Sequence, residues 1–275
     1  MRAYKVVDVF TDTPFRGNPV AVVLNAEGLS TEQMQAIAAW TNLSETTFAL
    51  LSTTGDYRLR IFTPRIELPF AGHPTIGSAH ALIEAGIVTP RNGTLVQDCA
   101  AGLVTLHVEG GQITIDLPPA TLTDLSARET AALDAILGNP TRQPAIVDLG
   151  IRWIVADVLS PETLLTLTPD LPAMARFEKS LLATGVTLFA PYPDGRVEVR
   201  SFAPSDGISE DPVCGSGNGA VGYWRRARGD LPAGGYVAEQ GQRVGRAGRI
   251  TVSSDGETLR IGGQAVTTVN GTILL

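Results

Sequence analysis

Cysteine is nearly absent from this chain. Its 275 residues hold two, Cys99 and Cys214. Two thiols build no disulfide framework, and a reducing compartment suits such a chain. Histidine is equally sparse: His73, His80 and His107 are the only three, and they show no zinc-type spacing with the cysteines, so no metal is expected. Long apolar runs are missing as well, which excludes a membrane-spanning helix. The first residues, Met1-Arg-Ala-Tyr-Lys-Val-Val-Asp8, put charges where a signal peptide has its apolar core. A soluble cytoplasmic protein with no membrane partner is the expectation. Positive charge is in deficit, with Lys+Arg at 21 against Asp+Glu at 28 and a net charge of -7. Binding nucleic acid needs a basic face, so no nucleic-acid partner is expected, although a locally positive pocket stays open.

What the chain does have is apolar mass and glycine. Hydrophobic residues make up 44%, enough for a sizeable core in one large domain or two ordinary ones. Strands are expected at 6–10, 19–24, 45–51, 57–63, 95–100, 103–108 and 112–116, from β-branched runs between turn residues. Helices are expected at 30–40, where Ser30 or Thr31 can cap, and at 75–84 before Gly86. After Pro118-Pro119 the order starts again. Helices are expected near 126–137, 161–165 and 171–177, with strands at 145–149, 153–158, 186–190 and 197–202. A helix at about 217–228 follows, then strands at 235–240, 250–253, 259–262 and 264–275.

The two halves also share letters. Arg60-Ile-Phe-Thr-Pro64 matches Arg200-Ser-Phe-Ala-Pro204, and Val7-Asp8 matches Val147-Asp148. Glu67, Pro69, Gly72 and Ala79 are followed 143 residues later by Glu210, Pro212, Gly215 and Gly222. A repeat this long points to duplicated lobes rather than a solenoid, whose units run to roughly 20–50 residues. The boundary is expected near 118–125. Each lobe then carries a glycine turn opening a helix, one before Thr75 and one within Ser209–Trp224. The first N–H groups of a helix lack partners inside it, so each turn offers donors to an anion. Two such turns facing one cleft would clamp a small acid without a net positive protein.

Chemistry is sought where the copies differ. His73 lies opposite Ser216, Asp211 opposite Leu68, and Cys214 opposite Ala71. Glu45, between Leu43 and Phe48, lies opposite apolar residues around Val186. An acid among apolar neighbours is partly desolvated and suits proton transfer; the plain alternative is a solvated strand-end glutamate. His73, between Gly72 and Pro74, suits carboxylate binding or proton shuttling, or else a hydrogen bond within its turn. Asp211 before Pro212 can orient an amine or hydroxyl, or close an Asx-turn. Cys214, just before a helix, is a candidate thiol nucleophile or proton shuttle, or a small buried residue. Cys99, His80 and His107 read as structural. Gly215-Ser-Gly-Asn-Gly has neither the nucleophile-elbow order nor the dinucleotide fingerprint.

Four stretches together resemble the PhzF family: Asp8-Val-Phe with Gly17-Asn-Pro-Val-Ala-Val, Asn42-Leu-Ser-Glu-Thr-Thr-Phe48, Phe62-Thr-Pro with Glu67-Leu-Pro-Phe-Ala-Gly-His-Pro-Thr75, and Glu210-Asp-Pro-Val-Cys-Gly-Ser216. The resemblance runs the length of the chain in order. It implies an α+β, diaminopimelate epimerase-like fold of two pseudo-symmetric lobes. Each lobe would be a curved, mostly antiparallel sheet around a central helix. Residues 1–119, which can take in a short C-terminal crossover, make the first lobe and 120–275 the second, with the active site in the cleft. It implies a homodimer with no cofactor and no metal. By motif position Glu45 is the proton-moving glutamate, and Gly72, His73, Asp211, Gly215 and Ser216 bind substrate.

One position departs from the related epimerase, which uses a cysteine from each glycine turn. The corresponding places here hold Ala71 and Cys214, so a two-thiol mechanism is unavailable and a one-thiol variant stays open. The expected activity is a cofactor-independent isomerase moving a proton on a small amino- or hydroxy-carboxylic acid. The alternatives are an epimerase or racemase using Glu45 and Cys214, and a non-catalytic small-acid-binding homodimer.

Overall fold

A computed structural model describes residues 1–256 and 258–274. The chain divides into two compact units, Met1–Asp116 with the chain from Gly262 onward, and Leu117–Ile261.

The first unit runs β1 (Arg2–Val9), β2 (Asn18–Val23), α1 (Thr31–Thr41), β3 (Thr46–Leu50), β4 (Tyr57–Phe62), β5 (Glu67–Leu68), α2 (Gly72–Glu84), β6 (Thr94–Cys99), β7 (Gly102–Glu109) and β8 (Gln112–Asp116). Most neighbours pair antiparallel; β2 with β3 and β4 with β6 are parallel. The helix α1 begins at a reciprocal capping box: the Gln33 backbone N–H donates to Ser30 Oγ, and the Ser30 N–H donates to Gln33 Oε1. It ends at Asn42 in the left-handed conformation, φ 54°. Met34, Ile37 and Ala38 point inward at helical spacing.

The second helix, α2, is buried nearly all round, which is why its sequence, Gly-His-Pro-Thr-Ile-Gly-Ser-Ala-His-Ala-Leu-Ile-Glu, has no polar face to speak of. Gly77 lets it lie against the sheet, because a Cβ there would sit 2.4 Å from Val20 Cγ1 and 2.8 Å from Val9 Cγ2.

The second unit repeats the plan. It runs β9 (Thr121–Asp124), α3 (Ala127–Leu137), β10 (Arg142–Asp148), β11 (Arg152–Asp157), α4 (Pro161–Thr166), α5 (Leu171–Ser180), β12 (Gly185–Pro191), β13 (Val197–Ala203), β14 (Ile208–Asp211), α6 (Gly215–Ala227), β15 (Tyr236–Gln240), β16 (Gly248–Asp255) and β17 (Thr258–Gly263), and the chain closes with β18 (Ala265–Ile273). The parallel pairs recur in the same places, β11 with β12 and β13 with β15. Both central helices have 13 residues. Where the first unit has α1 between the parallel strands, the second has α4 and α5, packed with α3 over their own apolar cluster.

The short C-terminal crossover allowed to the first lobe is β18, which pairs antiparallel with β1 from Arg2↔Ile273 to Val9↔Ala265 and belongs to the first unit. It covers the free edge of β1, as β9 covers that of β10 in the second unit. Leu275, the expected end of that strand, lies outside the described residues. The central helices start earlier than expected, at Gly72 and Gly215 rather than 75 and 217. The glycines are therefore the first helical turn rather than a loop before it. The strands β5, β9 and β14 are too short, at two to four residues, to show a period in sequence.

Candidate active site

In the first unit, two expected site residues meet. Glu45 is the last residue before β3, and its backbone carbonyl accepts from the Ala21 N–H across the parallel pair. That fixes the residue at the strand's foot. His73 is the second residue of α2. The two side chains approach with His73 Nε2 3.3 Å from Glu45 Oε2, at 11% and 15% exposure. Both atoms are buried without a hydrogen-bond partner.

The chemistry of this contact follows from the ring. Burial pushes His73 below the ordinary histidine range, and the Glu45 carboxylate offsets only part of that, so the imidazole is neutral near pH 7. The Pro19 backbone beside the ring also opposes that shift. A proline has only a carbonyl to offer, and a carbonyl only accepts, which assigns the ring proton to Nδ1 and leaves a lone pair on Nε2. Two acceptors therefore face each other in a buried place. A proton arriving on either atom turns the contact into a hydrogen bond. Ala71, the residue capping α2, supplies no side-chain cap, so the first N–H groups of the helix keep their donors.

The corresponding place in the second unit is built from different side chains. Thr46 pairs with Phe62 and Val186 with Phe202, so Gly185 is the counterpart of Glu45, one residue before the apolar stretch expected from sequence. The room is taken by Trp153, its partner on β11. A Cβ at Gly185 would sit 2.5 Å from Trp153 Cζ3 and 2.2 Å from the Phe202 carbonyl oxygen. The indole N–H donates to Ser216 Oγ at 3.1 Å, and Ser216 is the counterpart of His73 on α6. Asp211 ends β14, and its Oδ1 accepts from the Val213 N–H at 3.0 Å, the Asx-turn reading of that residue.

The thiol of Cys214 is the side-chain cap of α6, with the Gly217 N–H donating to Sγ at 3.3 Å. It is 5% exposed, and burial, helped by nearby Asp211, pushes its pKa far above the ordinary thiol range. Among the described residues no group of three or more His, Cys, Asp or Glu side chains is placed to hold a metal ion, and no helix is long and apolar enough to cross a membrane.

A family model described as phenazine biosynthesis-like protein matches residues 7–271. The chain belongs to the PhzF family of isomerases. A Schizosaccharomyces pombe protein named antisense-enhancing sequence 1 is 39% identical, over 98% of this chain and 97% of its own. The trans-2,3-dihydro-3-hydroxyanthranilate isomerase of Pseudomonas chlororaphis is 34% identical over the whole of both chains. Among solved structures, a Bacillus anthracis PhzF-family protein superposes with a TM-score of 0.88 at 25% identity, covering 100% of this chain and 99% of that one. The fold is the α+β, diaminopimelate epimerase-like one: curved, mostly antiparallel sheets, each with a central helix.

Two residues of this PhzF-family chain escaped the sequence reading, and both act on the turns. Gln97 on β6 and Gln240 on β15 lie 143 residues apart, the same interval as the two helix starts. Gln97 Nε2 donates to Thr75 Oγ1 at 3.0 Å, and its Oε1 accepts from the Tyr57 hydroxyl at 3.1 Å. Gln240 Oε1 accepts from the Cys214 N–H at 3.1 Å and from Asn218 Nδ2 at 2.8 Å, while its Nε2 donates to the Asp211 carbonyl at 3.0 Å. One amide thus ties both sides of the second turn. The signal was present in the 143-residue interval, but a buried strand glutamine carries no motif.

Proposed function

We propose that this PhzF-family isomerase moves a proton on a small amino- or hydroxy-substituted carboxylic acid, with Glu45 as general acid and base. The observation that carries this reading is the buried Glu45–His73 contact, two acceptor atoms 3.3 Å apart without a hydrogen bond to either. Such a pair gains a hydrogen bond only by taking up a proton, which favours abstraction from a bound substrate. The carboxylate takes the proton from one carbon, the electron pair of the broken C–H bond moves into the adjacent unsaturated system, and the same carboxyl returns the proton at another position. His73 steadies the protonated carboxyl through Nε2 between the two steps. Helix N–H groups at Gly72 and Gly215 and the Ser216 hydroxyl serve as donors for substrate oxygens, and developing negative charge is stabilised by such preorganised donors. The cap role of Cys214 speaks for proton transfer by Glu45 rather than by a thiol.

The chlororaphis relative is named for trans-2,3-dihydro-3-hydroxyanthranilate, which makes that compound the first substrate to try. The decisive variant is Glu45→Gln, which keeps shape and hydrogen bonding but removes the base. Exchange of substrate hydrogen with deuterated water, followed by mass spectrometry, should fall by roughly 10²–10⁴-fold, with the melting temperature little changed. Undiminished exchange in Glu45→Gln would sink the reading.

A further inference from the structure

The second unit carries a side chain whose role neither the family resemblance nor the proton chemistry explains. Trp153 is 3% exposed, yet its one polar atom is spent on Ser216 rather than on backbone. An indole N–H only donates, so Ser216 Oγ must accept from it. A hydroxyl has one proton and two lone pairs; with one lone pair occupied at 3.1 Å, its own proton is left to donate. The nearest alternative acceptor is Cys214 Sγ at 3.6 Å, a weak one that already receives the Gly217 N–H. The backbone N–H groups of Gly215 and Ser216 open the same helix and have no hydrogen-bond partner among the described residues. Ser216 Oγ and the Gly215 and Ser216 N–H groups are therefore all donors at this turn, beside the Asp211 carboxylate and the Cys214 thiol, which accept from Val213 and Gly217.

The indole itself has little freedom. It packs where Gly185 has no side chain, and a Cβ there would overlap the ring. In the first unit the counterpart of Trp153 on the parallel pair is Val20, which has no polar atom, and the counterpart of Ser216 is His73. The tryptophan and the glycine are thus a matched replacement for Glu45, confined to the unit whose helix starts with serine.

We propose that Trp153 is a positioning residue: its N–H holds Ser216 Oγ as an acceptor, so that the hydroxyl proton is presented to a carboxylate oxygen of the substrate. This rests on the reading of Ser216 as a substrate contact.

The test uses 3-hydroxyanthranilate as a carboxylate probe, with Kd from calorimetry for wild type, Trp153→Phe, Ser216→Ala and the double variant. Losing a hydrogen bond to a charged carboxylate should weaken binding by roughly tenfold or more. Trp153→Phe and Ser216→Ala should each show that loss, and the double variant should bind no worse than Ser216→Ala alone. Trp153→Phe should also erode the preference for the carboxylate over the corresponding primary amide. Multiplicative losses, an unchanged Kd in Trp153→Phe, an unchanged Kd in Ser216→Ala, or no carboxylate binding by wild type would each overturn the proposal. Should Trp153→Phe fail to fold, the Trp153 indole proton resonance decides: it must move upfield in Ser216→Ala, and an unmoved signal overturns it. None of these readouts depends on Glu45, so a failure here stands apart from full proton exchange in Glu45→Gln.

Discussion

At the foot of β3 the first unit carries Glu45; at the foot of β12 the second carries Gly185. Around these two points the scaffold is nearly the same. In each unit an arginine on the strand forms a two-pronged pair with a glutamate, Arg60 with Glu67 at 2.7 Å twice, and Arg200 with Glu210 at 3.0 and 2.8 Å. Each guanidinium also lies over a phenylalanine two residues on, at 5.1 and 4.9 Å from the ring centres. Each central helix is tied near its start to a buried glutamine. What is duplicated is the frame that aims a helix start. What is not duplicated is the pair of side chains standing in front of it: a carboxylate and an imidazole in one unit, an indole and a hydroxyl in the other. The first pair can hold a proton between two lone pairs, and the second can only donate. Duplication followed by divergence at two positions per unit is enough to give one frame two different chemical settings.

The sharpest way to break this comparison is at Gly185. Its missing Cβ is what admits the indole, so Gly185→Ala should destabilise the protein by about 3 kcal/mol or more through overpacking against Trp153 and the Phe202 carbonyl. Denaturant unfolding measures this directly. An alanine variant as stable as the parent would remove the steric link between Gly185 and Trp153, and with it the idea that the second unit traded an acid for a ring.

A smaller effect should separate the two glutamines. Gln240→Leu strands the Cys214 N–H, the Asn218 amide and the Asp211 carbonyl, whereas Gln97→Leu strands two hydroxyls that can turn to other partners. An unmatched buried group costs about 1–3 kcal/mol. We expect Gln240→Leu to lose about 2 kcal/mol and to lower kcat/KM, Gln97→Leu to lose about 1 kcal/mol, and Gln240→Glu not to restore the Asp211 bond. Equal losses in stability and activity for the two would mean that the turns are tied by something other than these amides.

Much of the frame was legible in the sequence because it is local. Ser30 or Thr31 announces a helix cap, β-branched runs announce the strands, and the 143-residue interval announces the second central helix. The matching Arg, Phe and Glu letters were visible as a repeat, and the structure supplies their cause as an ion pair beside a ring. What stayed hidden depends on contacts between distant residues. The pairing of β18 with β1 joins the two ends of the chain, and nothing near either end encodes it. The Glu45–His73 approach joins a strand foot to a helix start 28 residues away in sequence. Local reading favoured a solvated acid at Glu45 over a base, and only its motif singled it out. Trp153 was legible only as the start of an expected strand, because one hydrogen bond from its edge leaves no trace in hydropathy.

The smallest expected effect bears on Cys214, where the units differ by thiol against methyl. In the first unit the helix begins at Ala71 with no side-chain cap; in the second the thiol accepts the Gly217 N–H. A serine can do the same and is a better cap, worth about 1 kcal/mol over alanine in general. Cys214→Ser should therefore change stability by less than about 1 kcal/mol and leave kcat/KM within about twofold of wild type. Alkylation of the native protein by N-ethylmaleimide should be slow, since burial keeps the group a thiol and the thiolate is the reacting form. The opposite result would be informative in a specific way. A proton shuttle working from one face of a carbon needs a thiolate there. Abolished turnover in Cys214→Ser, with the fold and the Glu45-dependent exchange intact, would assign the second face to sulfur and turn the isomerase into an epimerase with one carboxylate and one thiol.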